Sequence, residues 1–103
     1  MSARPLELGL YTDSLPDLGF EAVLDMAAEI GATGIEIATG GQSSAPHLQV
    51  DELLGDAAAR TRFATAFERR GLRIAALNCS AWPMHPVVGD EHVALIRSRV
   101  GTL

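Results

Sequence analysis

Three short stretches of the chain, residues 6–12, 34–39 and 73–79, are rich in apolar residues, and the first two alternate apolar with polar or small residues. In the first stretch, positions 6, 8 and 10 are all leucine, and polar or small residues lie between them. A period of two is typical of a β-strand whose two faces have different surroundings. The pattern therefore predicts three β-strands.

Between these stretches, apolar residues recur every three or four positions, which is the period of an amphipathic helix. One such face is formed by Phe20, Val23, Leu24, Ala27 and Ile30, and Gly31 follows it as a helix-ending glycine.

A short turn is predicted over residues 51–54. The next helix is predicted from Ala57 to about Arg70, with Asp56 as its cap and a buried stripe of Phe63, Ala64, Ala66 and Phe67. A last helix is predicted over residues 90–99, with an apolar face of Val93, Ile96 and Val100.

Strands that alternate with helices are typical of a parallel sheet with helical crossovers, so the predicted fold class is α/β, with the order βαβαβ(α). A parallel sheet of three strands leaves edges and one face uncovered. A (β/α)8 TIM barrel needs about 250 residues to close. We therefore interpret residues 1–103 as a single partial domain, the first three βα units of an incomplete TIM barrel.

Alternation along the second strand makes a prediction about a carboxylate. If Ile35 and Ile37 pack against helices, Glu36 and Ala38 point to the opposite face, the interior of a curved sheet. In a closed barrel, polar groups of further strands would satisfy Glu36, whereas in a flat sheet it would be solvated.

Composition narrows the classes of function. The chain has 48% hydrophobic residues and a net charge of −5, and its basic residues are all arginine, without a basic stripe. This argues against binding to a nucleic-acid backbone. No apolar run approaches the roughly 20 residues of a membrane span, and residues 1–5 do not begin a signal peptide. We therefore expect a cytoplasmic protein without a nucleic-acid or membrane partner, and the single cysteine, Cys79, excludes an internal disulfide.

Ligands of parallel α/β folds bind beyond the carboxyl ends of the strands, so the polar residues there are the candidates. They include Thr12 and Asp13 after the first strand, His47 after the second, and Asn78, Ser80, Trp82 and His85 at the third. Prolines beside both histidines restrict the backbone, which suits an imidazole that binds a sugar hydroxyl or a divalent metal. Two ordinary loop histidines are an equally good interpretation.

The remaining candidates also have two interpretations each. Asn78 either binds a substrate hydroxyl or caps its loop, and Trp82 either forms a wall for a sugar or anchors the loop as a buried aromatic. Asp13 is interpreted as a turn former and Cys79 as a packed apolar residue. The Gly40-Gly41 pair lacks the spacing of a phosphate loop.

Several segments together resemble a known family. They are residues 8–17 (LGLYTDSLPD), 34–40 (GIEIATG), 45–48 (APHL), 76–80 (ALNCS) and 84–86 (MHP). These segments resemble the opening third of bacterial sugar phosphate isomerase/epimerase proteins, in the xylose isomerase-like TIM-barrel superfamily, which also contains endonuclease IV-type enzymes. The resemblance covers nearly all of residues 6–86 and is weaker from residue 87 onward.

The resemblance implies a barrel that binds a divalent metal (Mn, Mg or Co) and moves a proton at a carbon beside a carbonyl of a small sugar or polyol. In such families two glutamates, an aspartate and a histidine hold the metal, and the glutamates are the acid/base pair. All four lie on later strands, so no catalytic or metal-binding residue is assigned here. Substrate contact is assigned first to His47, Asn78 and His85, then to Trp82 and Thr12. The chain itself is predicted to be inactive, not to bind the metal, and to self-associate.

Two other functions remain open at this point. One is a non-catalytic α/β module that self-associates through its sheet edge. The other is a fragment of an endonuclease IV-like metal-dependent hydrolase, with His47 and His85 as early metal ligands. The acidic charge weighs against a DNA substrate.

Overall fold

A computed structural model describes residues 6–99, and in them strands and helices alternate as an α/β fold. The elements in chain order are β1 (Gly9–Tyr11), a short 3-10 helix (Thr12–Ser14), α1 (Phe20–Glu29), β2 (Gly34–Gly41), α2 (Val50–Gly55), α3 (Ala57–Glu68), β3 (Arg73–Ser80) and α4 (Gly89–Arg99). Among these residues, no helix has the length and apolar character needed to cross a membrane.

The three strands form one parallel sheet in the order β1-β2-β3. Leu10 pairs with Ile35, and Ile35 pairs with Ile74. The register between β2 and β3 shifts twice, once after Ile35 and once after Ala38. The predicted parallel βαβαβ order is therefore confirmed.

The first strand is shorter than predicted. Pairing with β2 begins only at Gly9, and the backbone carbonyl of Leu8 accepts hydrogen bonds from the amides of Thr33 and Gly34. Leu6 and Leu8 are exposed, because neither packs into the core and no described strand lies beyond β1. The alternation that predicted a strand over residues 6–12 thus extends past the paired part of the strand.

The core lies on one face of the sheet. Ile35 and Ile37 of β2 are fully buried there, against Leu24 of α1 and Phe67 of α3. Glu36 lies between the two isoleucines and is half-buried. The prediction that the isoleucines pack on helices is confirmed, and alternation places Glu36 on the opposite, open face.

The predicted helices lie where the sequence placed them, but two side chains that were predicted to be buried are exposed. Gly31 has a positive φ of 86°, and the Asp56 side chain accepts a hydrogen bond from the Ala58 amide at 2.9 Å, both as predicted. Ile30, the residue that follows α1, is exposed. In α3 the buried alanines are Ala59 and Ala66, and the predicted Ala64 is exposed.

Aromatic rings and ion pairs fix α1 on α3. Phe20 stacks on Phe63 with ring centroids 5.2 Å apart, and Phe67 packs against both rings. Arg70 follows α3 and forms ion pairs with Asp25, at 2.7 Å, and with Glu21, both on α1. This helical layer covers one side of the sheet and leaves the other side free for polar residues.

The last helix, α4, lies against the carboxyl end of β2. Its predicted apolar residues Val93 and Ile96 are only half-buried, and Gly89 is the buried residue of the helix. Val100, the third predicted residue of that face, lies outside the described residues. The predicted helix exists, but its apolar side is not part of the core.

Candidate functional site

Polar side chains from all three strands meet on the open face of the sheet. Tyr11 of β1 is the register partner of Glu36 on β2, and residues of β3 lie beside them, where Ala38 pairs with Asn78. We call the group formed by Tyr11, Asp13, Glu36, Asn78 and Ser80 the open-face network. It arises because register partners of a parallel sheet point to the same face.

Hydrogen bonds connect the members of the open-face network. The Asn78 amide Nδ2 donates to Glu36 Oε1 at 3.4 Å, and the Ser80 hydroxyl donates to Asn78 Oδ1 at 3.1 Å. The Tyr11 hydroxyl donates to Asp13 Oδ2 at 3.5 Å and is hydrogen-bonded to the Ser80 side chain. The partner that Glu36 needs therefore comes from β3 of this chain.

The surroundings of Tyr11 raise the pKa of its phenol. Burial is the largest cause that raises the pKa of Tyr11 above 10.0, and the negative charge of Asp13 is the next. The charge of Glu36 adds to the rise, whereas the hydrogen bond with Ser80 acts in the opposite direction. The phenol therefore keeps its proton to a higher pH than a free tyrosine does, and this proton is donated to Asp13.

Two buried oxygens at the end of β1 have no hydrogen-bond partner within the described chain. They are Asp13 Oδ1 and the hydroxyl oxygen of Thr12. A buried polar atom without a partner is costly, and each such atom in a native protein needs an explanation. Asp13 Oδ1 has free acceptor capacity at the edge of the open-face network.

The structure brings one predicted site residue, Asn78, into the centre of the network. Its backbone carbonyl also accepts a hydrogen bond from the Thr39 hydroxyl at 3.1 Å, which holds the end of β3 against β2. Thr12 lies between Tyr11 and Asp13 in the chain but is completely buried in the 3-10 helix.

His47 lies in the helical layer and not in the open-face network. It is 4% exposed, and its Nε2 donates to the Leu18 carbonyl at 2.7 Å. It lines a cavity together with Phe20, Leu53 and Phe63, which belong to the core or pack against it. In this position the imidazole ties the loop after β2 to the loop before α1.

The two histidines near the end of the chain organise the loop before α4. His85 Nδ1 accepts hydrogen bonds from the amides of Val87 and Val88, at 3.0 and 3.2 Å. His92 Nδ1 accepts from the Trp82 amide at 2.7 Å, and the two rings stack with centroids 5.7 Å apart. Trp82 is 56% exposed, so it is not a buried anchor for the loop.

Four members of the network were not assigned a substrate contact from the sequence: Tyr11 and Glu36, which were not candidates, and Asp13 and Ser80, which were candidates only as polar residues at strand ends. The signal that could have found three of them was strand alternation, which already placed Glu36 on the open face. The same alternation applied to Tyr11 and Ser80 gives the rest of that face. Asp13 is different, because its contact with Tyr11 depends on the local 3-10 helix.

The described residues do not fit a divalent metal ion. Within residues 6–99, no group of three or more His, Cys, Asp or Glu side chains is close enough together to hold one. The network has two carboxylates, Asp13 and Glu36, and its other members are a phenol, an amide and a hydroxyl. Hydrogen bonding to a ligand is the chemistry that these groups support.

A cleft of about 400 Å³ lies at the carboxyl end of β2. We call it the β2 cleft. The loop after β2 forms one side, with Ser43 and Ser44, and α4 forms another, with Leu95 and Arg99. Asp51 and Glu52 of α2 add two carboxylates, so the walls carry two acidic groups against one guanidinium.

The floor of the β2 cleft is made by two glycines with positive φ. Gly40 has φ of 134°, and a Cβ built there would lie 3.5 Å from Arg99 Nε. Gly41 has φ of 80°, and a Cβ built there would overlap the carbonyl oxygen of Ser80. The Gln42 amide donates to that same carbonyl at 2.7 Å. These glycines therefore allow the ends of β2 and β3 to approach closely beside the network.

A curated protein is similar to this chain. YfiH of Bacillus subtilis (strain 168), an uncharacterised protein, is 46% identical over 88 residues, which are 84% of this chain and 28% of YfiH. The chain thus spans little more than a quarter of the length of the relative that it matches. No protein-family model matches the chain, and no solved structure matches it significantly.

Proposed function

We propose that this chain is the first three βα units of a TIM-barrel isomerase or epimerase of small sugars or polyols, and that the open-face network binds substrate hydroxyls. The observation that carries the proposal is the position of the network. Tyr11, Asn78 and Ser80 lie at or near the carboxyl ends of β1 and β3, and Glu36 lies within β2 on the same face, which becomes the interior when such a sheet closes into a barrel. The resemblance of residues 6–86 to that family agrees with this position.

The chemistry of the network suits a ligand with several hydroxyl groups. A hydroxyl both donates and accepts hydrogen bonds, so it needs acceptors and donors at short spacing. Glu36 and Asp13 supply carboxylate acceptors, Tyr11 supplies a phenolic oxygen whose proton is donated to Asp13, and Asn78 supplies both a donor and an acceptor. Because these side chains already hydrogen-bond to one another, their orientation is set before a ligand binds.

The charges favour a neutral ligand. Asp13 and Glu36 lie in the network, and Asp51 and Glu52 line the β2 cleft, where Arg99 is the cation. A phosphate-rich polymer would meet net negative charge at both places. This supports a neutral sugar or polyol and argues against the DNA substrate of an endonuclease IV-type hydrolase.

In the proposed enzyme, this chain binds and orients the substrate. The family resemblance assigns the metal and the proton-transferring carboxylates to strands beyond β3. Among the described residues, no group of His, Cys, Asp and Glu side chains could hold a metal ion. We therefore expect the purified chain to bind a polyol weakly and to show no aldose–ketose or epimer interconversion when a divalent metal is added.

Titration with xylitol, followed by the amide resonances of the isotope-labelled chain, tests the binding role. We expect saturable changes at the Asn78 side-chain amide and at Ser80, with a Kd on the order of 10 mM, or about −3 kcal/mol. Glu36→Gln should weaken binding at least threefold, because a neutral amide replaces a charged acceptor.

Asp17→Asn is the matched control, since Asp17 is an exposed acid in the loop after β1. Its binding curve should equal that of the unchanged chain. Changes that do not saturate, or equal changes in Glu36→Gln, would show that the network does not bind polyols. Clear turnover by the monomeric chain would contradict the assignment of chemistry to later strands.

A second candidate function is a non-catalytic module that self-associates through its sheet edges. It is favoured by one observation: among the described strands, β1 and β3 each pair with β2 alone. Unpaired amide and carbonyl groups along such edges are templates for pairing with another chain. A discrete, stable dimer would favour this candidate over the barrel portion.

A further inference from the structure

The helix α4 is separate from the helical layer that covers the sheet. Residues of α1, α2 and α3 belong to the core cluster around Ile35 and Ile37, whereas no described residue of α4 belongs to it or packs on it. Instead, Leu95 and Arg99 of α4 line the β2 cleft. In this position α4 covers part of the cleft.

The apolar side of α4 is only partly used in this position. Leu95 and Arg99 are four residues apart and share the side that faces the cleft. Val93 and Ile96 form a second pair, three residues apart, and both remain half-buried. An amphipathic helix normally buries such a pair in a core.

A matching apolar groove is uncovered on the helical side of β3. It has a volume of about 310 Å³, and we call it the β3 groove; it is lined by Leu48, Leu53, Arg60, Phe63, Ile74 and Leu77. Ile74 is 41% exposed, although its register partner Ile35 is fully buried. No described residue of α4 lines this groove.

The handedness of parallel sheets points to α4 as the occupant of the β3 groove. Helices that connect parallel strands follow right-handed crossovers, which places successive helices on the same face. A helix that returns from β3 on that face would run alongside α3, with its first turn near the first turn of α3. Arg60 lies in that part of α3 and α4 begins with Asp90, so a cation and an acid would face each other there, beside the hydrogen bonds that Arg60 Nη1 donates to the carbonyls of Leu53 and Leu54.

We propose that α4 has two docking positions, one over the β2 cleft and one in the β3 groove, and that it gates the cleft by moving between them. Residues 81–88 are the tether, which spans up to about 26 Å when extended. The hydrogen bonds from backbone amides to His85 and His92 hold the cleft position. In the groove position, Val93 lies near Leu77, Ile96 lies near Ile74, and the cleft is open to a ligand.

Pairs of introduced cysteines test the two positions. The chain has a single native cysteine, so Cys79→Ser gives a cysteine-free background. Ile74→Cys with Ile96→Cys reports the groove position, and Ser44→Cys with Leu95→Cys reports the cleft position. After oxidation of dilute protein, we expect both pairs to form disulfides within one chain, seen as monomers with altered mobility on non-reducing electrophoresis.

Charge variants of α3 test the groove position independently. Arg60→Glu should lower the yield of the Ile74–Ile96 crosslink at least threefold, because it places an acid opposite Asp90. Arg60→Gln keeps a donor for the Leu53 carbonyl and should lower the yield in the same direction. Arg62→Glu is the matched control, since Arg62 is an exposed arginine of the same helix that does not line the groove. Its yield should be unchanged.

Two results would overturn the proposal. One is the absence of the groove crosslink under conditions in which the cleft crosslink forms, with the pair Leu77→Cys and Val93→Cys repeated in case the first variant does not fold. The other is a groove crosslink that joins two chains, which would make the β3 groove a surface between copies.

Discussion

At the scale of single residues, the candidate site depends on side chains that constrain one another. Asn78 is central, because it donates to Glu36, accepts from Ser80 and has its backbone carbonyl held by Thr39. Tyr11 connects this group to Asp13 at the end of β1. Each member restricts the orientation of the next, so the network presents a fixed set of donors and acceptors.

Tyr11 gives a direct test of this environment, because it is the single tyrosine of the chain. We expect phenolate absorbance near 295 nm to appear with a midpoint above pH 10.0 in the folded protein. The folded state then holds the phenol proton more tightly than the unfolded chain does. Stability is therefore fully present below about pH 10 and falls as the pH rises through the folded-state pKa.

Two variants separate the causes of this raised pKa. Asp13→Asn should lower the midpoint by removing a negative charge, but not fully to 10.0, because burial is the larger cause. Asp17→Asn, at an exposed acid nearby, should leave it unchanged. A midpoint at or below 10.0 in the unchanged chain would show that Tyr11 is outside the network.

At the scale of elements, the junction of β2 and β3 decides whether the site can form. The strands end side by side, with Gly41 paired with Ser80 and the Gln42 amide bonded to the Ser80 carbonyl. The positive φ and the close approach at Gly41 leave no room for a side chain. The glycine therefore fixes how near the β2 cleft lies to Ser80.

Gly41→Ala should destabilise the fold by more than about 3 kcal/mol, since strain from the positive φ adds to the overlap with the Ser80 carbonyl. Urea unfolding measures the loss. Gly31→Ala is the matched control, because Gly31 also has a positive φ but has open space around its Cβ position. That variant should lose only about 1 kcal/mol, and equal losses would contradict the overlap at Gly41.

The elements themselves were largely predictable from the sequence. Residue period predicted three strands and the helices, and Gly31 and Asp56 marked a helix end and a helix start correctly. Periodicity failed where strand pairing depends on a neighbouring strand. Leu6 and Leu8 alternate like strand residues, but the described sheet has no partner for them. Similarly, His47 looked like a ligand-facing loop residue, and its bond to the distant Leu18 carbonyl has no signal in the sequence.

At the scale of the whole molecule, the described chain has a core on one side and polar groups on the other. Its helical layer is well packed, yet both outer strands have an unpaired edge and the β3 groove is uncovered. Strand order was predictable because it follows from alternating elements, whereas the position of α4 was not, since its apolar residues are compatible with more than one surface.

These edges predict self-association. Sedimentation velocity should show an average mass that rises with concentration, and Leu8→Lys should reduce the rise, because a charge beside β1 opposes edge pairing. Ile30→Lys is the matched control: Leu8 is 48% exposed and Ile30 is 50% exposed, but Ile30 lies just after α1 and away from the strand edge. Equal effects of the two lysines would point to general solubility instead of edge pairing.

The stacking of Trp82 on His92 gives the molecule a built-in optical reporter. Trp82 is the single tryptophan, and its ring and its backbone amide both contact a histidine of α4. Its fluorescence therefore reports the loop before α4 alone, without an attached dye. A ligand that fills the β2 cleft, or a variant that releases α4, will change the emission of this one ring while the core remains folded.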